Sequence, residues 1–365
     1  MQEMNHDLKK LRRYVSSALI PWFEIHQREM PWRHNRTPYR VWISELMLQQ
    51  TRVSQATPYY VRFMRRFPSL KKLAEANLED VLKVWEGLGY YSRARNMHKA
   101  ANVIRDQYGG RFPRDPQHIA TLPGIGPYTT AAISSLAFNL NLAVVDGNVI
   151  RVLSRLLAIK SDIGLQSSKI EFQSIADALL IKGRAGIFNE AMMELGATVC
   201  LPQNPDCSNC PMKKVCIAYR EQSPTQYPIK QKKKKIPHIV VGAAVVKNKN
   251  ETVLVAQRRE DQMLGGLWEF PGGKKEPNES IHRCVIRELK EELGINVELS
   301  AKILCVDHAY SHFTMEMHVY WAQIKSGKPK SIECKDFKWI SLEEIRTLPF
   351  SKADLKVIDA ITEAD

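Results

Sequence analysis

The stretch 122–133, LPGIGPYTTAAI, sets two glycines two residues apart, between prolines and ahead of a helix-forming run. Glycine lets a backbone turn through positive φ or come close to another group. Gly124 and Gly126 therefore read as a tight turn, with a helix opening near Tyr128 to Thr130. The outward-pointing N–H groups of such a turn and helix start can hold a phosphate without reading base sequence. A G-x-G by itself is an ordinary connection between packed helices. Downstream, LAVVDGNVIRVLSRL (142–156) puts Asp146 between an apolar run and a periodic helix, which is the place of an N-cap.

Working outward, residues 1–220 read as helical almost throughout. DVLKVWEGLGYYSRARNMHKAANVIRDQYG (80–109) carries apolar residues at three- and four-residue spacing. Residues 221–237, EQSPTQYPIKQKKKKIP, have the composition of an exposed connector. Beyond it, HIVVGAAVV, TVLVAQRR, AKILCVDHAY and MEMHVYWAQI are short and β-branched, as strands are, with one helix between them at about 280–293. The expected architecture is a mainly α part over 1–220, a basic Pro/Lys linker over 221–237 and an α+β part over 238–365.

The 365 residues include 53 Lys and Arg against 39 Asp and Glu, a formal net charge of +14. That excess suits a polyanionic partner, although charge alone does not separate a nucleic-acid binder from a merely basic soluble chain. No apolar run approaches a membrane span, and the N-terminal MQEMNHDLKKLRRYVSSALIPWF has no long apolar h-region. A cytoplasmic protein without membrane contact is expected. Four of the seven cysteines, Cys200, Cys207, Cys210 and Cys216, fall in a C-x6-C-x2-C-x5-C loop. In a cytosolic chain such a group argues for metal over disulfides. Zinc ribbons space two C-x2-C pairs farther apart. Four thiolates in one compact loop fit a [4Fe–4S] cluster, with zinc the lesser alternative.

The L-P-G-I-G string resembles the helix-hairpin-helix of the DNA glycosylase superfamily, whose hairpin grips the DNA backbone beside a lesion. The cysteine spacing resembles the cluster loop of endonuclease III and its adenine-specific relatives. Endonuclease III carries a nucleophilic lysine two residues after the hairpin's last glycine; here that residue is Tyr128, and a phenol cannot form a Schiff base. PWR (31–33), WISELMLQQT (42–51), WEGLGYYSRARN (85–96), VDGNV (145–149) and MMELGA (192–197) resemble the MutY-type adenine DNA glycosylases over residues 10–220. The resemblance implies excision of adenine opposite 8-oxoguanine or G from double-stranded DNA by a nucleoid-associated monomer. It further implies a catalytic pair, Glu45 and Asp146, in a cleft between two helical subdomains. Trp32, Arg33 and Glu190 would line the adenine pocket, Tyr128 and Asn148 would lie near the sugar, and Gln50 and Tyr90 would wedge into the stack. Residue chemistry supports Glu45 separately: Val41, Trp42 and Leu48 share its helix face, and apolar surroundings keep a carboxyl protonated.

GLWEFPGGKKEPNESIHRCVIRELKEELGI (266–295) contains a complete Nudix pattern, G-x5-E-x7-R-E-U-x-E-E-x-G-U, from Gly273 to Ile295. Glu288, Glu291 and Glu292 fall on one helix face, where three carboxylates repel unless a hard cation such as Mg²⁺ neutralises them. The resemblance to the MutT-type Nudix family implies either a reader of 8-oxoguanine or a hydrolase of oxidised nucleotides. HAYSHF (308–313) resembles the lesion-reading loop, with Tyr310, Ser311 and His312 as its triplet, and Asp354 resembles a base-recognition residue of the hydrolases. A combined enzyme, an endonuclease III-like glycosylase/lyase and a non-catalytic DNA-binding scaffold remain as alternatives at this point.

Overall fold

The computed structural model describes residues 2–231, 236–310 and 312–363, so the connector's lysines 232–235 lie outside the described residues. The chain forms two compact units, 1–64 with 100–233 and 65–99 with 234–365. A helical part is followed by an α+β part, while 65–99 packs with the C-terminal part. The expected exposed connector is corrected over its first half: 221–233 belongs to the first unit, Tyr227 is buried, and the Ile163 N–H donates to the Ile229 carbonyl at 3.1 Å.

The first unit is helical, with no strand among its described residues. The helix Pro38–Leu48 starts on Thr37, whose Oγ1 accepts the Arg40 N–H at 3.3 Å, and Pro38 occupies the first turn, where a missing N–H costs nothing. It buries residues all round, Glu45 among them. The glycine turn leads into the helix Pro127–Leu136; only Gly124, at φ 74°, needs glycine's freedom, whereas Gly126 is extended at the N-cap. Asp146 caps the helix Gly147–Leu156, its Oδ1 accepting the Val149 N–H at 2.7 Å. Val149, Val152, Leu153 and Leu156 of that helix bury into a core with Leu19, Phe23, Phe172, Phe188 and Leu195, the one-sided stripe of an amphipathic helix.

Gly196, in the helix Ala185–Thr198, lies so close to the start of the Asp146 helix that an added Cβ would meet the Asn148 Cβ at 2.6 Å. Gly196→Ala is expected to cost about 1–3 kcal/mol by overpacking against Asn148. Thermal melts of the variant against the wild type check this cost.

The second unit holds β1 (His238–Val246), β2 (Val253–Gln257), β3 (Trp268–Glu269), β4 (Gly272–Lys274), β5 (Asn296–Ala309), β6 (Thr314–Ser326) and β7 (Asp336–Ile340). One sheet runs β4-β1-β6-β5 and the other β3-β2-β7. The pair β1–β6 is parallel; the other pairings are antiparallel. The helix Ile281–Leu293 starts on Ser280 and ends on Gly294 at φ 69°, the left-handed C-terminal glycine of a common helix stop. Its Val285, Leu289 and Leu293 pack with Ala244, Val246 and Leu254. From the segment 65–99, Tyr91 OH donates to the Phe350 carbonyl at 3.2 Å, and Arg95 Nη1 to that of Gly265 at 2.8 Å.

Candidate active site

A cleft of about 860 Å³ in the first unit is lined by Trp32, Arg33, Glu45, Tyr128, Asp146, Asn148 and Glu190. The residues that the resemblance implies as catalytic or pocket-lining thus line one cleft. Glu45 is 5 % exposed, and Tyr128 OH donates to its Oε2 at 2.5 Å. Burial is the main cause that pushes the Glu45 pKa up to about 7; the Tyr128 hydrogen bond pulls it down, Asp146 and Glu190 raise it, and Arg33 lowers it. Tyr128 therefore serves the carboxyl directly, a role its expected place near the sugar did not include.

Asp146 is held by its own helix start. Oδ1 takes the Val149 N–H, and Oδ2 takes Asn148 Nδ2 at 2.8 Å. Burial raises its pKa, while those donors and Arg151 favour the ionised form. Two carboxyls in one cleft thus differ in environment: Glu45 accepts from a phenol, and Asp146 accepts from a backbone N–H and an amide at a helix N-terminus.

Glu190 is balanced by two arginines, Arg33 Nε at 3.1 Å and Arg36 Nη1 at 2.7 Å. Arg33 Nη2 also reaches Glu194 at 3.0 Å, and Glu194 takes Arg28 Nε at 2.6 Å. Arg28, Arg36 and Glu194 were not identified in the sequence. Glu194 stood in the quoted MMELGA, one turn from Glu190, so the shared helix face was a usable signal. Trp32 is 7 % exposed and meets Tyr60 edge-on at 5.2 Å between ring centres. It is a packed aromatic that still lines the cleft.

Gln50, exposed at the end of the Glu45 helix, has φ 57°. Tyr90, in the second unit, has φ 50° and lies against the Arg93 guanidinium at 5.2 Å from its ring centre. Left-handed backbone at a non-glycine residue costs of order 1 kcal/mol and marks tips worth testing for function. At Gly126 an added Cβ would meet nothing within 4 Å.

Cys200, Cys207, Cys210 and Cys216 line one pocket together with Arg155. Arg155 is 2 % exposed; its Nη1 donates to Cys200 Sγ at 3.3 Å and to the Leu201 carbonyl at 2.6 Å. Burial and the neighbouring thiols push the Cys210 pKa up to about 12. Four sulfur donors lining one pocket are a set that could hold a metal cluster. Arg155 carries no sequence signal beyond a buried position on the Asp146 helix.

In the second unit, a cavity of about 350 Å³ is lined by Glu269, Glu288, Glu292, Asp354, Arg258 and Tyr310. Glu292 Oε2 accepts the Gly272 N–H at 3.2 Å. Burial raises Glu269, Glu292 and Asp354; Arg258 pairs with Glu269. Arg287 pairs with Glu279, Glu288 and Glu291, while like charge from Glu288 still helps to raise the Glu292 pKa. Glu291 lies outside this cavity's lining, with its side chain 48 % exposed. Tyr310 packs against Phe313 at 4.8 Å between ring centres, His312 is exposed, and Ser311 lies outside the described residues.

The family described as HhH-GPD superfamily base excision DNA repair protein matches residues 43–177, and the NUDIX domain family matches 242–360. The chain is 34% identical to a Mus musculus protein named adenine DNA glycosylase, over 93% of this chain and 76% of that one. A protein of the same name from Buchnera aphidicola subsp. Acyrthosiphon pisum is 37% identical, over 84% and 86%. Among solved structures, a thermostable thymine-DNA glycosylase is similar at TM-score 0.53 and 30% identity, over 58% of this chain and 98% of that one. An endonuclease III–DNA covalent intermediate shares the fold at TM-score 0.51 and 23% identity, covering 59% of this chain and 98% of that one. No helix among the described residues is long and apolar enough to cross a membrane.

Proposed function

The chain belongs to the adenine DNA glycosylase family, and on that premise we propose that it hydrolyses the N-glycosidic bond of adenine mispaired with 8-oxoguanine, or with G, in double-stranded DNA. The observation that carries this reading is the pair of unequal carboxyls in one cleft, Glu45 raised to about 7 and Asp146 held by N–H donors. Extruded adenine enters the cleft. Glu45 gives its proton to ring N7, which turns adenine into a neutral leaving group. Positive charge growing on the deoxyribose is stabilised by Asp146, and water then completes the abasic site. The hairpin N–H groups after Gly124 and Gly126 hold backbone phosphate, and Gln50 and Tyr90 enter the base stack.

No lysine lines the cleft among the described residues, and Tyr128 stands at the lyase position with its hydroxyl on Glu45. The reaction therefore ends at the abasic site. Single-turnover assays on duplexes with A opposite 8-oxoguanine, A opposite G, or thymine glycol test this. Release of adenine with strand breaks only after alkali is expected; a borohydride-trapped adduct would establish the lyase instead.

Tyr128→Phe is expected to move the alkaline limb of the pH–rate profile upward. The lost hydrogen bond favours ionised Glu45, so its removal raises the folded pKa, and the proton persists to higher pH. An unmoved limb would exclude Tyr128 as the tuning group.

We also assign the four loop cysteines to a [4Fe–4S] cluster that shapes a DNA-binding loop, with Arg155 bracing it. Arg155→Leu removes donors to the Leu201 and Pro202 carbonyls and to Cys200. It is expected to lower iron content and the brown absorbance and to weaken DNA binding about tenfold, since buried unpaired acceptors cost about 1–3 kcal/mol each. Tyr310, Ser311 and His312 are assigned to recognition of 8-oxoguanine.

The acidic cavity of the second unit favours one further reading, a combined enzyme. Mg²⁺ bound there would polarise a diphosphate, with Glu288 and Glu292 as its holders and Asp354 at the base. Hydrolysis of oxidised deoxynucleoside triphosphates should then vanish in Glu292→Gln and survive Glu45→Gln. No hydrolysis by the wild type at any Mg²⁺ concentration would leave lesion reading as the unit's role.

A further inference from the structure

On the solvent face of the second unit's larger sheet, three different metal-ligating side chains converge that neither the cleft nor the acidic cavity uses. Cys305 on β5 and His318 on β6 are direct partners across the antiparallel pair. Glu316 precedes His318 by two residues, so strand alternation turns both to the same side, while Met315, Met317 and Val319 go to the core. His318 Nε2 lies 2.6 Å from Glu316 Oε1, and Cys305 Sγ lies 3.7 Å from the same oxygen. All three donor atoms fall within 4.8 Å of one another. At the start of β1, His238 Nε2 is 3.9 Å from Glu316 Oε2.

We propose that Cys305, Glu316 and His318 bind a borderline divalent cation, with zinc the best match. Sulfur, imidazole nitrogen and one carboxylate oxygen form a set that zinc accepts, whereas Mg²⁺ and Ca²⁺ take oxygen almost throughout. Zinc bonds of about 2.0–2.3 Å put tetrahedral donors roughly 3.3–3.7 Å apart. The sulfur–oxygen pair already fits, and the histidine–glutamate pair opens by under about 1 Å to admit the ion. Backbone pairing fixes two of the three ligands, so little chain ordering is left to oppose binding. The fourth position falls to water or, after a rotation of its side chain, to His238.

The test uses the full-length protein with its iron content recorded, so that metal at the cysteine loop is counted separately. Zinc chloride or magnesium chloride is added, iodoacetamide follows, and peptide mass spectrometry reads alkylation of each cysteine. Zinc should slow Cys305 alkylation at least tenfold in the wild type and have no effect on Cys334, and magnesium should protect neither. Protection of Cys305 should be lost in His318→Ala and in Glu316→Gln, two changes on a solvent face. Elemental analysis should find one more zinc per chain in the wild type than in Cys305→Ser. Equal alkylation with and without zinc would overturn the site and leave His318 and Glu316 as a plain side-chain contact. Protection that persists in both variants would overturn it as well.

Discussion

Glu45→Gln is expected to lower adenine release by about a thousandfold or more while leaving binding of the A:8-oxoguanine duplex nearly intact. The amide has the shape of the acid, and its oxygen can still accept from Tyr128, so the cleft keeps its form and loses only the proton. The same change should stabilise the protein at alkaline pH. Glu45 ordinarily ionises at 4.5 and in the fold at about 7. Between those values the unfolded chain releases its proton while the folded chain retains it. Each pH unit across the window therefore removes about 1.4 kcal/mol of wild-type stability. Above about 7 the loss is complete, on the order of 3 kcal/mol; below 4.5 it is absent. Denaturant melts should find the glutamine variant more stable than wild type at pH 8 and equal to it at pH 4. Equal stability at both would mean that Glu45 is not held neutral by the fold.

Asp146→Asn separates two roles of one residue. Asparagine caps helices about as well as aspartate, so the Val149 N–H keeps its acceptor and stability should change by less than about 1 kcal/mol. The negative charge is gone, and with it the stabilisation of a cationic sugar. Base release should fall by about a hundred- to a thousandfold, the usual cost of one well-placed electrostatic group. Asp146→Ala should lose activity equally and an additional ~1 kcal/mol of stability from the missing cap. Near-normal excision by the asparagine variant would reduce Asp146 to a cap alone.

What the sequence could reveal was local. Gly124 needs its positive φ, Asp146 caps as the flanking pattern required, and the helix at 281–293 begins and ends on its own serine and glycine. The two strands β3 and β4, two and three residues long, are too short to show alternation. Long-range partners left no trace either. Tyr128 and Glu45 are 83 positions apart, and no spacing rule connects a phenol on one helix with an acid on another. The arginines tell the same story: Arg28 and Arg36 look like surface charge until the fold closes around the carboxylates that they serve. Arg287 was legible as part of a motif, but its triple pairing depends on where Glu279 returns to the helix.

The central claim is that a neutral Glu45 delivers the proton that lets adenine leave. The most direct measurement is the single-turnover rate of adenine release from an A:8-oxoguanine duplex between pH 5 and pH 9. The wild type should hold a plateau below about pH 7 and lose about tenfold per pH unit above it. A rate that stays level to pH 9, or excision that persists in Glu45→Gln, would contradict the account.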